Sequence, residues 1–214
     1  MPSIELKNVY KKFQNNVVVD HVSASFASGR IIGLVGRNGS GKTVLLKMIC
    51  GLMPIDSGEI CINGISIGRG AKPVANIGAI IEAPGFLPFS SGFRNLSYLA
   101  GVRGRISRKE IEHAIKLVGL DPKLRKRVGA YSLGMRQRLG IAQAIMESPD
   151  ILILDEPMNS LDDAGVQDMR KLFQKMRDEG KLIIIATHIR EDVDMLCDEV
   201  YRMHNGKLLT AEAD

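Results

Sequence analysis

"GRNGSGKT", residues 36 to 43, decides how this 214-residue chain is read. It fits G-x-x-x-x-G-K-[ST] at every fixed position, and an accidental match in a chain of this size has odds below about 1%. The preceding "RIIGLVG" is a continuous apolar run suited to a buried parallel strand. The following "GKTVLLKMICGL" has helical spacing and meets Pro54 as its expected stop. A glycine-rich turn between strand and helix lets backbone N–H groups converge on phosphate oxygens, and the helix N-terminus favours their charge. Gly36, Asn38, Gly39, Ser40 and Gly41 would form that cradle. Lys42 would reach the terminal phosphates, and Thr43 would offer its hydroxyl to Mg²⁺. The expected ligand is a nucleoside triphosphate.

Downstream, "ILILDEP" (151 to 157) supplies the other half of a hydrolysis site. An apolar strand ending in Asp155 delivers a carboxylate to the Mg²⁺ hydration shell. Glu156, next in the chain, would face the attacking water as general base. An Asp-Glu pair after a strand is ordinarily surface charge; the phosphate loop changes its meaning.

Around these two segments the pattern is mixed. "SIELKNVY" and "DHVSASF" alternate apolar and polar residues, as half-buried antiparallel strands do. "GEICINGISI" and "EVYRMHNGKLLT" each carry Asn-Gly between apolar stretches, a hairpin signal. "NIGAII" and "KLIIIATH" read as further buried strands, with the helix "DAGVQDMRKLFQKMRDEG" before the second. Between 83 and 147 the pattern is loops and helices, at 93 to 101, 108 to 118 and 132 to 147. The expected organisation is a single domain, 1 to 214: an α/β core with an antiparallel β subdomain (1 to 82 and 148 to 214) and a helical insert (83 to 147).

Composition narrows the class. Hydrophobic residues at 45% and charged residues at 25% match a globular chain that can bury a core. The formal charge is +5, but the basic residues are scattered. Their densest cluster, Lys123, Arg125, Lys126 and Arg127, has no interleaved aromatic for stacking on bases, so no nucleic acid is expected. Cys50, Cys61 and Cys197 lack metal-ligand spacing and suit a reducing compartment. No run approaches the ~18 apolar residues of a membrane span. The chain reads as soluble and cytoplasmic.

"YSLGMRQRLG" (131 to 140) holds a second anion-friendly helix start, with Ser132 as cap beside Gly134. Phosphate loop, "YSLGM" and "ILILDEPMNSLD", in this order, resemble the ATP-binding cassette (ABC) family from about Ile4 to Leu209. That resemblance implies a P-loop NTPase (RecA-like) core and binding of ATP with Mg²⁺. The family's usual signature is Leu-Ser-Gly-Gly-Gln; here Tyr131 to Met135 occupy it and retain Ser132 and Gly134. It further implies that Phe13 stacks on adenine, that Asp162 sits in an intersubunit loop, and that His188 contacts the γ-phosphate. In the family two cassettes pack head to tail, so Ser132 and Gly134 would cover the partner's ATP. Hydrolysis would then reopen the dimer.

The resemblance also implies a partner: a multi-span membrane permease, served at the cytoplasmic face by a homodimer or heterodimer of cassettes. "SLGMRQRL" is similar to the bacterial exporter branch. Glu82, where the family usually has Gln, resembles cassettes of bacitracin- and lantibiotic-type peptide resistance. Glu82 would bring a full negative charge towards Mg²⁺ and the attacking water. An alternative is a cassette ATPase acting on ribosomes or DNA. Such proteins carry two cassettes or a long coiled coil before the signature, and this chain has one cassette and no sustained heptads there.

Overall fold

The computed structural model describes residues 1, 3–67, 76–82 and 84–210; residue 83, where the helical insert is expected to begin, lies outside them. Two sheets organise the chain. The first is antiparallel, in the order β2 (Asn16–Ala27), β1 (Ser3–Phe13), β4 (Ser57–Ile62), β5 (Ile65–Ser66). The second runs β10 (Lys207–Thr210), β9 (Glu199–His204), β3 (Arg30–Val35), β8 (Leu182–Thr187), β7 (Ile151–Asp155), β6 (Ile77–Ile80). It is parallel except at β10, which returns antiparallel from β9.

The central strands are apolar on both faces because both are covered. Side chains alternate across a strand, so each strand feeds two cores. Ile31, Leu152, Leu154, Ile183 and Ile185 meet the helices α2 (Gly92–Arg103), α3 (Arg108–Leu117), α4 (Leu133–Ile145) and α5 (Asp163–Asp178). Ile32, Leu34, Ile153, Ile184 and Ala186 face the other way, onto helix α1 (Lys42–Ile49) and the antiparallel sheet. Each fully buried Leu or Ile contributes about 1.5–3 kcal/mol relative to exposure. A polar substitution at Ile184 would therefore damage both the sheet and the floor beneath the phosphate loop.

Three local readings are corrected. Helix α1 ends at Ile49, well before Pro54. Gly51, at φ 69°, stops it: its N–H donates to the Met48 carbonyl (3.0 Å) and that of Leu52 to Lys47 (2.9 Å), the two bonds of a left-handed glycine cap. The first two strands extend beyond their alternating segments and meet at Phe13–Asn16, across a tight turn at Gln14 and Asn15. The last hairpin is also a sheet component: β9 pairs parallel with β3, which apolar alternation alone does not reveal. Both Asn-Gly turns hold positive φ at both residues (Asn63 52°, Gly64 76°; Asn205 47°, Gly206 77°), the geometry that matches strand twist. A short helix, α6 (Arg190–Leu196), follows β8 and had no separate sequence signal.

Candidate active site

Strand order builds the site. β8 lies between β3 and β7, so the carboxyl ends of three strands come together. Val35 stands opposite Thr187, and Asp155 opposite Ala186. The loop after β3, the Asp155-Glu156 pair after β7 and His188 after β8 thus converge. A cleft of ≈ 330 Å³ opens there, lined by Val18, residues 38–44, Asp155 and Glu156.

The phosphate loop is held in shape by crowding. Gly41, at φ 107°, caps α1 and lies against the Val18 carbonyl, where any Cβ would collide. Gly36 is pressed against Met203 and the Ser40 hydroxyl in the same way. The Gly206 N–H donates to the Ser40 carbonyl at 3.3 Å, tying the last hairpin to the loop. Lys42 is buried at 6% exposure, and its Nζ donates to the carbonyls of Gly36 (2.7 Å) and Arg37 (3.3 Å). The ammonium is therefore anchored across the loop.

Thr43 Oγ1 donates to Asp155 Oδ2 at 2.7 Å, joining residues 112 positions apart. Among the described residues no group of three or more His, Cys, Asp or Glu side chains could hold a metal ion. One hydroxyl and one carboxylate fit Mg²⁺, which takes few protein ligands and completes its shell with phosphate and water. The Ser40 hydroxyl and Glu156 Oε2 are buried without a hydrogen-bond partner among the described residues. Orphaned polar atoms at a phosphate loop suit a bound polyanion and an ordered water.

Glu156 adopts φ 50°, a left-handed conformation that costs a side-chain-bearing residue about 1–3 kcal/mol. Its N–H donates to the Ala186 carbonyl at 2.8 Å, and its Oε1 lies 2.7 Å from His188 Nδ1. The carboxylate is thereby aimed along the end of the sheet.

The other residues expected at the site from sequence lie apart from the cleft. Phe13, half exposed, is outside the cleft lining; Lys11 Nζ lies 5.4 Å from its ring, and Val18 of the same hairpin reaches the cleft instead. Glu82, at φ 63°, binds Lys47 of α1 at 2.8 Å and lines a separate cavity with Pro84, Gly85 and Gln143. Ser132 caps α4 through the Met135 N–H (3.2 Å), and neither it nor Gly134 lines the cleft of its own chain. Asp162 caps α5 through the Gly165 N–H (3.1 Å) and lies 3.6 Å from Arg138. Tyr131 is core, at 6% exposure, and burial raises its phenol above the ordinary value. Lys47, Gln137 and Arg138 carry no local signal of their roles. Their partners lie far along the chain, and only helical spacing was visible at those positions.

Comparison with known proteins follows the same geometry. The family model described as ABC transporter matches residues 19–159, spanning both the phosphate loop and Glu156. YybJ of Bacillus subtilis, an uncharacterized ABC transporter ATP-binding protein, is 41% identical over 98% of this chain and 96% of its own length. The bacitracin transport ATP-binding protein BcrA of Enterococcus faecalis is 39% identical over 96% of this chain and 68% of its own. The lantibiotic transport ATP-binding protein SrtF of Streptococcus pyogenes is 33% identical, over 96% and 89%. Among solved structures, an ATP-binding subunit of an ABC transporter superposes with TM-score 0.88 at 26% identity, covering 99% of this chain and 90% of that one. The dimeric cassette MJ0796 shares the fold at TM-score 0.87 and 20% identity, over 99% of this chain and 100% of that one. Among the described residues, no helix is long and apolar enough to cross a membrane. A RecA-like α/β fold, a phosphate loop facing a paired Asp-Glu, and these matches agree: the chain belongs to the ABC transporter family, as an ATP-hydrolysing ATP-binding subunit.

Proposed function

We propose that this chain is a single cassette domain powering a bacterial exporter of antimicrobial peptides or drugs. Two copies, or this chain and a related one, pair head to tail beneath a multi-span permease at the cytoplasmic face of the membrane. The observation that carries the pairing is the position of Ser132 and Gly134 at the head of α4, outside the cleft of their own chain. Two phosphate-binding halves in one chain are complementary when the partner supplies the other half. The cargo class is supported by similarity to BcrA and SrtF, whose names specify bacitracin and lantibiotic transport.

In this reading the loop amides and Lys42 bind the β- and γ-phosphates, and Thr43 and Asp155 would hold Mg²⁺. When bound, Mg²⁺ supplies charge neutralisation at the phosphate oxygens. Glu156 accepts the proton of the attacking water as its oxygen bonds to the γ-phosphorus and the bond to ADP breaks. His188, beside Glu156 Oε1, contacts the γ-phosphate. Phe13 stacks on adenine, Asp162 works across the dimer, and Glu82 couples the metal site to the helical insert.

The permease would dock beside α2. Leu87 and Phe89 are exposed there (54% and 82%), while Phe86 packs into the helical core. Next to Phe89, a cavity of ≈ 420 Å³ is lined by Arg94, Arg125 and Arg127. Arg125 and Arg127, from the densest basic cluster of the sequence, thus adjoin the apolar patch. Deleting the gene in its host tests the cargo: sensitivity to bacitracin or a lantibiotic should rise and be restored by the native chain but not by Glu156→Gln. Unchanged susceptibility to peptides and drugs would remove the exporter reading.

A further inference from the structure

We infer that Gln137 is a positioning residue for Glu156, and that α4 braces the loop carrying this carboxylate. Three contacts run from the first turns of α4 to the loop between β7 and α5. At the start of the loop, Gln137 Nε2 donates to the carbonyls of Glu156 (3.3 Å) and Pro157 (3.0 Å). At its middle, a Cβ on Gly134 would stand 2.7 Å from the Ser160 carbonyl oxygen, so helix and loop backbones are in contact. At its end, Arg138 Nη2 lies 3.6 Å from Asp162 Oδ1, while Nη1 donates to the Val118 carbonyl at 2.7 Å.

The loop needs such bracing. Glu156 (φ 50°) and Ser160 (φ 72°) hold backbone conformations that side-chain-bearing residues disfavour. These persist only where the surroundings over-determine them. The Glu156 N–H is fixed on β8 through Ala186 (2.8 Å), and its carbonyl is fixed from α4 by Gln137. With the backbone held on both sides, the side chain is directed towards His188. A primary amide has two N–H donors for these two carbonyls, which an apolar side chain of the same length does not. Gln137 is outside the lining of the nucleotide cleft, so it acts through Glu156. Under the head-to-tail pairing proposed above, on which this last step rests, Ser132 on the same helix meets the partner's ATP. Occupancy of one site would then be felt at the base of the other.

Gln137→Met keeps the length and removes the donors; Gln137→Glu keeps the shape and sets an acceptor against both carbonyls. Both should lower kcat about 10- to 100-fold, the scale of a small misplacement of a reacting group. ATP affinity by calorimetry should stay at the wild-type value, and the thermal midpoint should fall by no more than about 2–8 °C, the scale of one or two lost hydrogen bonds. The distinguishing readout is a double-mutant cycle with Glu156→Ala, using single-turnover hydrolysis of labelled ATP. Because Gln137 acts through the Glu156 side chain, Gln137→Met should add no further loss to Glu156→Ala. An equal proportional loss in both backgrounds, or a kcat within twofold of wild type for both Gln137 variants, would overturn the assignment. Failure of the pairing itself would show separately, as monomeric elution of Glu156→Gln with ATP and Mg²⁺.

Discussion

His188 Nδ1 lies 2.7 Å from Glu156 Oε1, while the second oxygen of that carboxylate, Oε2, is buried without a hydrogen-bond partner among the described residues. One oxygen is thus held by the imidazole, and the other has no protein donor competing for it. This arrangement suits the general-base role proposed for Glu156. Glu156→Gln keeps the shape without the basic oxygen, so turnover should fall about 10²- to 10⁴-fold. With hydrolysis blocked, sizing chromatography in ATP and Mg²⁺ should show a dimer. Undiminished steady-state hydrolysis would exclude Glu156 as the base.

Lys42 does two jobs at once. Its ammonium is tied to the carbonyls of Gly36 and Arg37, and it lines the cleft. Lys42→Ala removes charge-assisted bonds worth about 1.5–3 kcal/mol each. ATP affinity measured by calorimetry should drop about 10- to 100-fold while the circular dichroism spectrum is retained. Wild-type affinity in this variant would remove Lys42 from the phosphate site.

Glu82 is held by Lys47 at 2.8 Å, away from the Thr43–Asp155 corner. The pair is solvent-exposed on the Glu82 side, so breaking it costs at most about 1 kcal/mol. Lys47→Met should release Glu82 towards the phosphates and raise the free Mg²⁺ needed for half-maximal hydrolysis, by no more than about fivefold. Glu82→Gln should retain substantial ATPase activity and need less Mg²⁺, because the neutral amide does not repel the γ-phosphate. Titration of hydrolysis against free Mg²⁺ reads both. If Glu82→Gln is as inactive as Glu156→Gln, Glu82 is the base instead.

At the proposed docking face, Arg94, Arg125 and Arg127 share one cavity, and none pairs with a carboxylate among the described residues. Charge reversal at Arg94 and Arg127, or Phe89→Ser, should leave the fold and basal ATPase intact. Each should weaken capture by the permease in detergent extracts. For the exposed arginines the loss should grow at low ionic strength, where screening is weakest. Capture equal to wild type by all three variants would move the docking surface elsewhere.

How much of this was legible in the chain follows from the range of the interactions. The phosphate loop is contiguous, so its glycines, Lys42 and Thr43 declare themselves through spacing alone. The buried strands are equally legible, because a strand covered on both faces is apolar without interruption and "ILILD" can hardly be anything else. Both Asn-Gly hairpins follow from the positive φ that these residues tolerate. The tertiary structure decided what depends on strand order. Thr43 meets Asp155 only because β8 separates β3 from β7, and no local pattern encodes that order. The ion pair between Lys47 and Glu82, the grip of Gln137 on Glu156, and the gathering of Arg94 with Arg125 and Arg127 are likewise meetings of distant segments. Single polar side chains carry no periodicity that announces a partner. Local sequence thus specifies the phosphate loop and the Asp155-Glu156 pair. Packing of the sheet against α4 specifies how the Glu156 backbone is held, because only the folded chain brings Gln137 within hydrogen-bonding distance of it.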